Sequence, residues 1–391
     1  MLVALTLAQR FARKLADAAA SKERGVEFDS RQLPMVRKAC GMAWAAYEEG
    51  KRHGDHEKLL KRLQEQFPDD AMLRLRWFQM QRGGHHLKPP WFLACGEDPL
   101  AEGVEAVFLS FRGSESWQDW LRDVVVVPQR HKGNTFHAGF LDACHDEHLK
   151  ERLESILRNT PKARLYVVGH SLGGAVAHTF VAAGFVEEYC PHHQGQVVAI
   201  NFGGPRVSSG QFNKHGSPHL EKSKFYTIIN ELDLVPRLLG AEVAAGAGAA
   251  LKRWLSTIGK ILERTRDFRD LPGLRLCLIQ HERLLYVPEE HRRSVMSLDQ
   301  CLGVIGEKLM AAIADHTKYP DHLAKVGTER EDSQKKTCRG KGGRGKGGKG
   351  NGGKGKGRGH YKAKHSKGKS GGGFRIKGKG KGHLVKVCAK K

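Results

Sequence analysis

Ser171 stands between Gly169 and Gly173, with an apolar run at 165–168 before it and helix-like apolar recurrence at Val176, Phe180, Val181 and Phe185 after it. This G-x-S-x-G spacing is that of a nucleophile elbow, a strand-to-helix turn that lifts a serine oxygen clear of a sheet edge. The turn is too tight for side chains at the flanking positions, and glycine is the residue that permits it. At a helix N-terminus, free N–H groups and the helix dipole favour a developing oxyanion. The chemistry would be nucleophilic attack on a carbonyl. Two plainer readings stand beside it: a Gly-rich turn holding an inert serine, and a phosphate loop. A phosphate loop asks for a lysine after the second glycine, and none follows Gly173.

A serine nucleophile needs a base, an orienting carboxylate and a second oxyanion donor. A strand-like run at 106–111 leads into Arg112-Gly113-Ser114, where the Ser114 backbone N–H could be that donor or the serine could simply cap a helix. Asp233 follows a strand-like run at 225–229, with an exposed loop carboxylate as the plainer reading. Of the histidines, His137 opens a helix that runs to about residue 158 and reads as structural. His316 lies at a helix end beside Asp315 with Tyr319 nearby, a position that suits a capping histidine as well as a base.

Strands alternating with helices from residue 106 onward imply a largely parallel sheet, which carries its sites at the carboxyl ends of its strands. Residues 1–80 read as helical, including a short helix from 68 to 80, and form a layer over one face of the body. Residues 1–20 suit a packing helix better than a transit segment or a signal peptide. At 391 residues the chain is long enough for one large α/β domain with appendages. The formal charge of +24 is concentrated: residues 335–391 hold 21 Lys and Arg and no acid, leaving 45 basic against 42 acidic residues before them. Eight scattered cysteines with no C-x-x-C argue against a zinc site and leave the compartment open. No apolar run is long enough to span a bilayer. A soluble or peripheral protein is expected, with the cytoplasm favoured.

Taken in order, these motifs resemble the class 3 lipases. Phe111-Arg112-Gly113-Ser114 with Trp120 and Asp123 is similar to that family's oxyanion segment, and His137-x-Gly139-Phe140 to its next signature. Gly169-His170-Ser171-Leu172-Gly173-Gly174 resembles the family elbow, and Phe202-Gly-x-Pro205-Arg206-Val207 the turn after it. Asn230-x-x-Asp233-x-Val235-Pro236 and Asp315-His316-x-x-Tyr319 look like the segments bearing the triad aspartate and histidine. The resemblance covers about residues 90–325. It implies an α/β-hydrolase fold, a mostly parallel central sheet flanked by helices, over a hydrolase domain at 86–325 (insert 240–272); apolar periodicity adds an N-terminal helical region (1–85), and composition a disordered tail (326–391). It also implies a serine hydrolase of lipid esters with Ser171, Asp233 and His316 as triad, Ser114 and Leu172 as oxyanion donors, and neither cofactor nor metal. His281 is the competitor of His316 for the base.

Residues 240–272 depart from the family in length. An Ala-Gly link at 241–250 precedes a basic amphipathic helix at 251–266, which suits a lid, an interfacial anchor or a cover for the core. The tail, with 19 glycines in residues 335–391, buries too little to order itself. Its lysines suit an anionic membrane surface, or nucleic acid through phosphates alone. Two rival readings of the whole chain are an inactive lipase-like scaffold and a polyanion-binding protein acting through its tail. Nothing in the sequence sets the oligomeric state.

Overall fold

A computed structural model describes residues 25–47, 56–79, 89–114, 127–209, 220–233, 235–238, 268–280, 282–296 and 314–326. The chain divides into two compact units, Met1–Arg339 and Gly340–Lys391, and every described residue belongs to the first. Trp120, Asp123, His281, the helix expected at 251–266 and the tail lie outside the described residues.

The N-terminal part supplies β1 (Val26–Glu27), α1 (Leu33–Ala45), α2 (His56–Gln66), β2 (Arg74–Gln79), β3 (Trp91–Asp98) and β4 (Ala101–Phe111). Then come β5 (Pro128–His131), β6 (Asn134–His137), α3 (Ala138–Cys144), α4 (Glu147–Asn159), β7 (Arg164–His170), α5 (Leu172–Ala182), α6 (Phe185–Tyr189) and β8 (Val197–Phe202). The remainder gives β9 (Ser208–Ser209), β10 (Lys224–Asn230), α7 (Val235–Leu238), β11 (Phe268–Arg269), β12 (Arg275–Gln280), β13 (Arg283–Val287), α8 (Glu289–Val295) and α9 (Tyr319–Lys325).

Nine strands form one sheet in the order β1-β13-β12-β10-β8-β7-β4-β3-β2. The five central strands, β12 through β4, run parallel, and antiparallel pairs close both edges. Side chains alternate across a strand, so each central strand feeds two cores. Val107, Leu109, Leu165, Val167 and Ala199 face α3 to α6, whereas Phe108, Tyr166, Val168, Ile200 and Phe202 face α1, α2 and α9. Burial on both faces explains why β7 and β8 read as continuous apolar runs. A smaller sheet, β11-β9-β6-β5, ties the C-terminal end of the 240–272 insert back to the body. The Arg206–Asp270 ion pair at 2.7 Å does the same.

Three local expectations are corrected. Residues 74–79 are a strand, not the end of a helix from 68 to 80: Leu73 and Leu75 are buried and β2 pairs with β3. The helix expected from 137 to 158 is two helices, because Asp146 accepts the N–H groups of His148 (2.9 Å) and Leu149 (3.1 Å) as the cap of a new one. The apolar recurrence after Ser171 is likewise split, at Gly184, whose φ of +79° ends α5 before α6 starts.

Candidate active site

The carboxyl ends of four neighbouring parallel strands meet at one rim. Ser114 follows β4, Ser171 follows β7, Gly203 and Gly204 follow β8, and Asp233 follows β10. Ser171 has φ +56° and ψ −126° and its N–H donates to the Phe202 carbonyl at 2.9 Å. A non-glycine residue held there carries about 1–3 kcal/mol of strain, which only a firm surround sustains. The surround is tight. A β-carbon on Gly169 would strike the Gly173 backbone, and one on Gly173 would strike Phe111 and Arg112. The two glycines therefore let β7, α5 and the end of β4 touch.

Leu172 is the first residue of α5, so its N–H lies in the turn where helical donors have no partner within the helix. Gly113 lies against Ser171: a β-carbon on it would come 3.2 Å from Ser171 Cβ. Leu172 thus follows the serine in the chain, and Ser114 is the residue after the glycine that packs against it.

Asp233 is fully buried and accepts three donors. His316 Nδ1 lies 3.0 and 2.9 Å from its two oxygens, Tyr319 O–H donates to Oδ2 at 2.5 Å, and the Val235 N–H donates to Oδ1 at 2.9 Å. An ionised carboxylate only accepts, so Nδ1 of a neutral His316 carries the proton and Nε2 holds the lone pair. That Nε2 is buried and, among the described residues, has no hydrogen-bond partner, Ser171 Oγ included. The buried Arg237 donates to the Asp233 carbonyl and, at 3.4 Å, to that of Asn230, fixing the turn that carries the acid.

Asp315 ties the His316 segment to this turn. Its carboxylate accepts the Leu232 N–H at 3.1 Å, and its carbonyl accepts Asn230 Nδ2 at 2.6 Å. Burial pushes the Asp315 carboxyl up from its ordinary value. Asp233 and His316 are thus brought together as expected. His137 is not part of the site: it caps α3 by accepting the Gly139 N–H at 3.1 Å, and burial pushes its imidazole down to about 4.

Residues 108–243 match the family described as "Lipase (class 3)". The match takes in about a third of the chain, and over that stretch the chain is similar to this family. Among similar proteins, a lipase of Rhizomucor miehei is 29% identical over 147 residues, 35% of this chain and 38% of that protein. A triacylglycerol lipase of Nicotiana tabacum is 33% identical over 92 residues, 23% of this chain and 16% of its own. The chain therefore spans about two fifths or less of these relatives' length. A solved lipase of Yarrowia lipolytica, 15% identical, shares the fold with a TM-score of 0.50 over 76% of this chain and 95% of that one.

The rim includes residues that the sequence left unassigned. The Trp44 ring lies 4.3 Å from that of His170 and 5.9 Å from that of Tyr319, and Tyr47 O–H meets His170 Nδ1 at 2.9 Å. Their spacing of three at the end of an apolar helix was the available signal, since it places both on one helix face. Tyr319 appeared only as motif context, yet its hydroxyl is bonded to the acid itself.

Proposed function

We propose that this chain is a serine hydrolase that cleaves carboxylic esters of lipids through an acyl-enzyme. The observation that carries the reading is the buried Asp233–His316 pair, its Nε2 without a partner among the described residues, set at the same rim as a serine held in a strained elbow. Ser171 Oγ attacks the ester carbonyl while His316 Nε2 takes its proton, and the same nitrogen returns that proton to the departing alcohol. Asp233 holds the tautomer and stabilises the imidazolium. The backbone N–H groups of Leu172 and Ser114 receive the oxyanion, each worth about 10²–10³-fold in rate. Water, deprotonated by His316, then releases the acid. Catalytic hydrogen bonds of the Ser–His kind commonly close only with substrate in place, which is consistent with an open Nε2.

Residues 86–325 carry the chemistry in this reading and residues 1–85 cover it. The charge of the tail at 326–391 supports contact with anionic lipid surfaces, at about 1 kcal/mol per cation near the surface. The names of the relatives, lipases of triacylglycerols among them, support a lipid ester as substrate. The test is a chain-length series of p-nitrophenyl esters. Ser171→Ala lowers kcat by about 10³-fold or more, His316→Ala nearly as much, and His281→Ala only mildly. Retained turnover in Ser171→Ala refutes the reading, and a reversed order of the two histidines moves the base to residue 281.

A further inference from the structure

His170 precedes the proposed nucleophile and has both ring nitrogens engaged. Its Nε2 lies 2.8 Å from the backbone carbonyl of His316 and its Nδ1 2.9 Å from the Tyr47 hydroxyl. A carbonyl can only accept, so Nε2 carries the proton. The neutral ring is left with its lone pair at Nδ1, and the Tyr47 O–H must donate to it. The ring is buried and packed against Trp44 at 4.3 Å, His316 at 4.4 Å and Tyr319 at 5.8 Å between centroids. With neither nitrogen free, it has no capacity to act as a second base.

The same Tyr47 oxygen lies against Gly113, the residue before Ser114. Space there is closed: a β-carbon on Gly113 would collide with the Tyr47 hydroxyl and lie 2.5 Å from the His170 carbonyl. One phenol just past the end of α1 therefore packs against the oxyanion turn and, by donating to His170, reaches the segment bearing the base. Asp233 fixes the His316 ring at Nδ1, and His170 fixes its backbone. Without the second point the ring can pivot about the first.

We propose that Tyr47 and His170 form a latch that sets the base segment and the oxyanion turn in register with Ser171, which makes Tyr47 a positioning residue for turnover. The proposal rests on the serine hydrolase reading above. It assigns a role to the N-terminal helical region that lies outside the family match at 108–243.

Tyr47→Phe removes one oxygen and leaves the ring. A displacement of about 1 Å at a reacting group can lower a rate by up to about 10²-fold. With p-nitrophenyl butyrate, kcat is expected to fall about 10- to 100-fold while KM stays within about twofold, because substrate contacts are untouched. His170→Phe should cause a similar loss, and adding Tyr47→Phe to it should change little, as for two residues acting through one contact. Thermal melting of each variant, read alongside, should stay within a few degrees of the parent. A kcat for Tyr47→Phe within about twofold of the parent, full multiplication of the two effects, or failure of Tyr47→Phe to fold overturns the latch. Ser171→Ala in the same assay separates the two ideas. If it stays active, the hydrolase reading fails; if it is dead while Tyr47→Phe is unimpaired, only the latch fails.

Discussion

Replacing Tyr319 by Phe removes one oxygen that serves two buried partners. The hydroxyl donates to Asp233 Oδ2 at 2.5 Å and accepts the Asn230 N–H at 3.1 Å. A hydrogen bond to a charged group contributes about 1.5–3 kcal/mol, and a buried N–H left without a partner costs about 1–3 kcal/mol. Both losses fall on one atom, so the lower parts of these ranges apply, giving about 3 kcal/mol. The ring still packs on Trp44, His170 and Phe202, so no large cavity is added. For a folded body of this size, about 2–4 °C of melting temperature goes with each kcal/mol, so Tm should drop by about 6–12 °C. Turnover should suffer less. Asp233 keeps the Val235 N–H at 2.9 Å and both contacts to His316, so kcat should fall by less than about tenfold. Calorimetry and ester hydrolysis on the same preparation test both halves. A Tm within about 2 °C of the parent refutes the accounting of the buried hydroxyl. A loss of activity of about 10³-fold at unchanged Tm refutes its placement behind the acid.

Burial pushes the imidazoles of His137 and His178 down to about 4, from an ordinary value of 6.5. Between pH 6.5 and 4 the unfolded chain takes up protons that these rings refuse, so the stability they contribute at neutral pH is lost as the pH falls. The loss is on the order of 3 kcal/mol for each ring, and a Tm that stays flat from pH 7 to 4.5 contradicts it. Arg206 and Asp270 pair at 2.7 Å with side chains only 14% and 19% exposed. Asp270→Asn should therefore destabilise by about 3 kcal/mol, and Arg206→Met should cost much less when added to it than alone, as read from urea denaturation.

The parts of the site that were legible in the sequence are those where chemistry and backbone make the same demand. Gly169 and Gly173 are required because neighbouring backbone occupies the space of their β-carbons, so the elbow is written in residue types. Asp233 and His316 could be paired only through family resemblance, since 83 residues separate them and nothing in either stretch names the other. Local signals failed where one was read at the wrong period. Leu73, Leu75 and Trp77 alternate as a strand does, but follow a helix-like stretch. The single residues Asp146 and Gly184 broke two apparent helices for reasons that become plain only when their capping bonds and φ are seen. Trp44 and Tyr47 were invisible as site residues because their role depends on which face of the sheet α1 covers.

The backbone of Ser171 has a consequence for how such a protein changes over generations. Glycine would adopt φ +56° and ψ −126° without penalty, so a single substitution relieves the strain at the elbow while removing its hydroxyl. A chain with no use for that oxygen has a downhill route open to it. Under the proposed mechanism that relief costs the nucleophile, so selection for turnover would oppose a substitution that selection for stability favours.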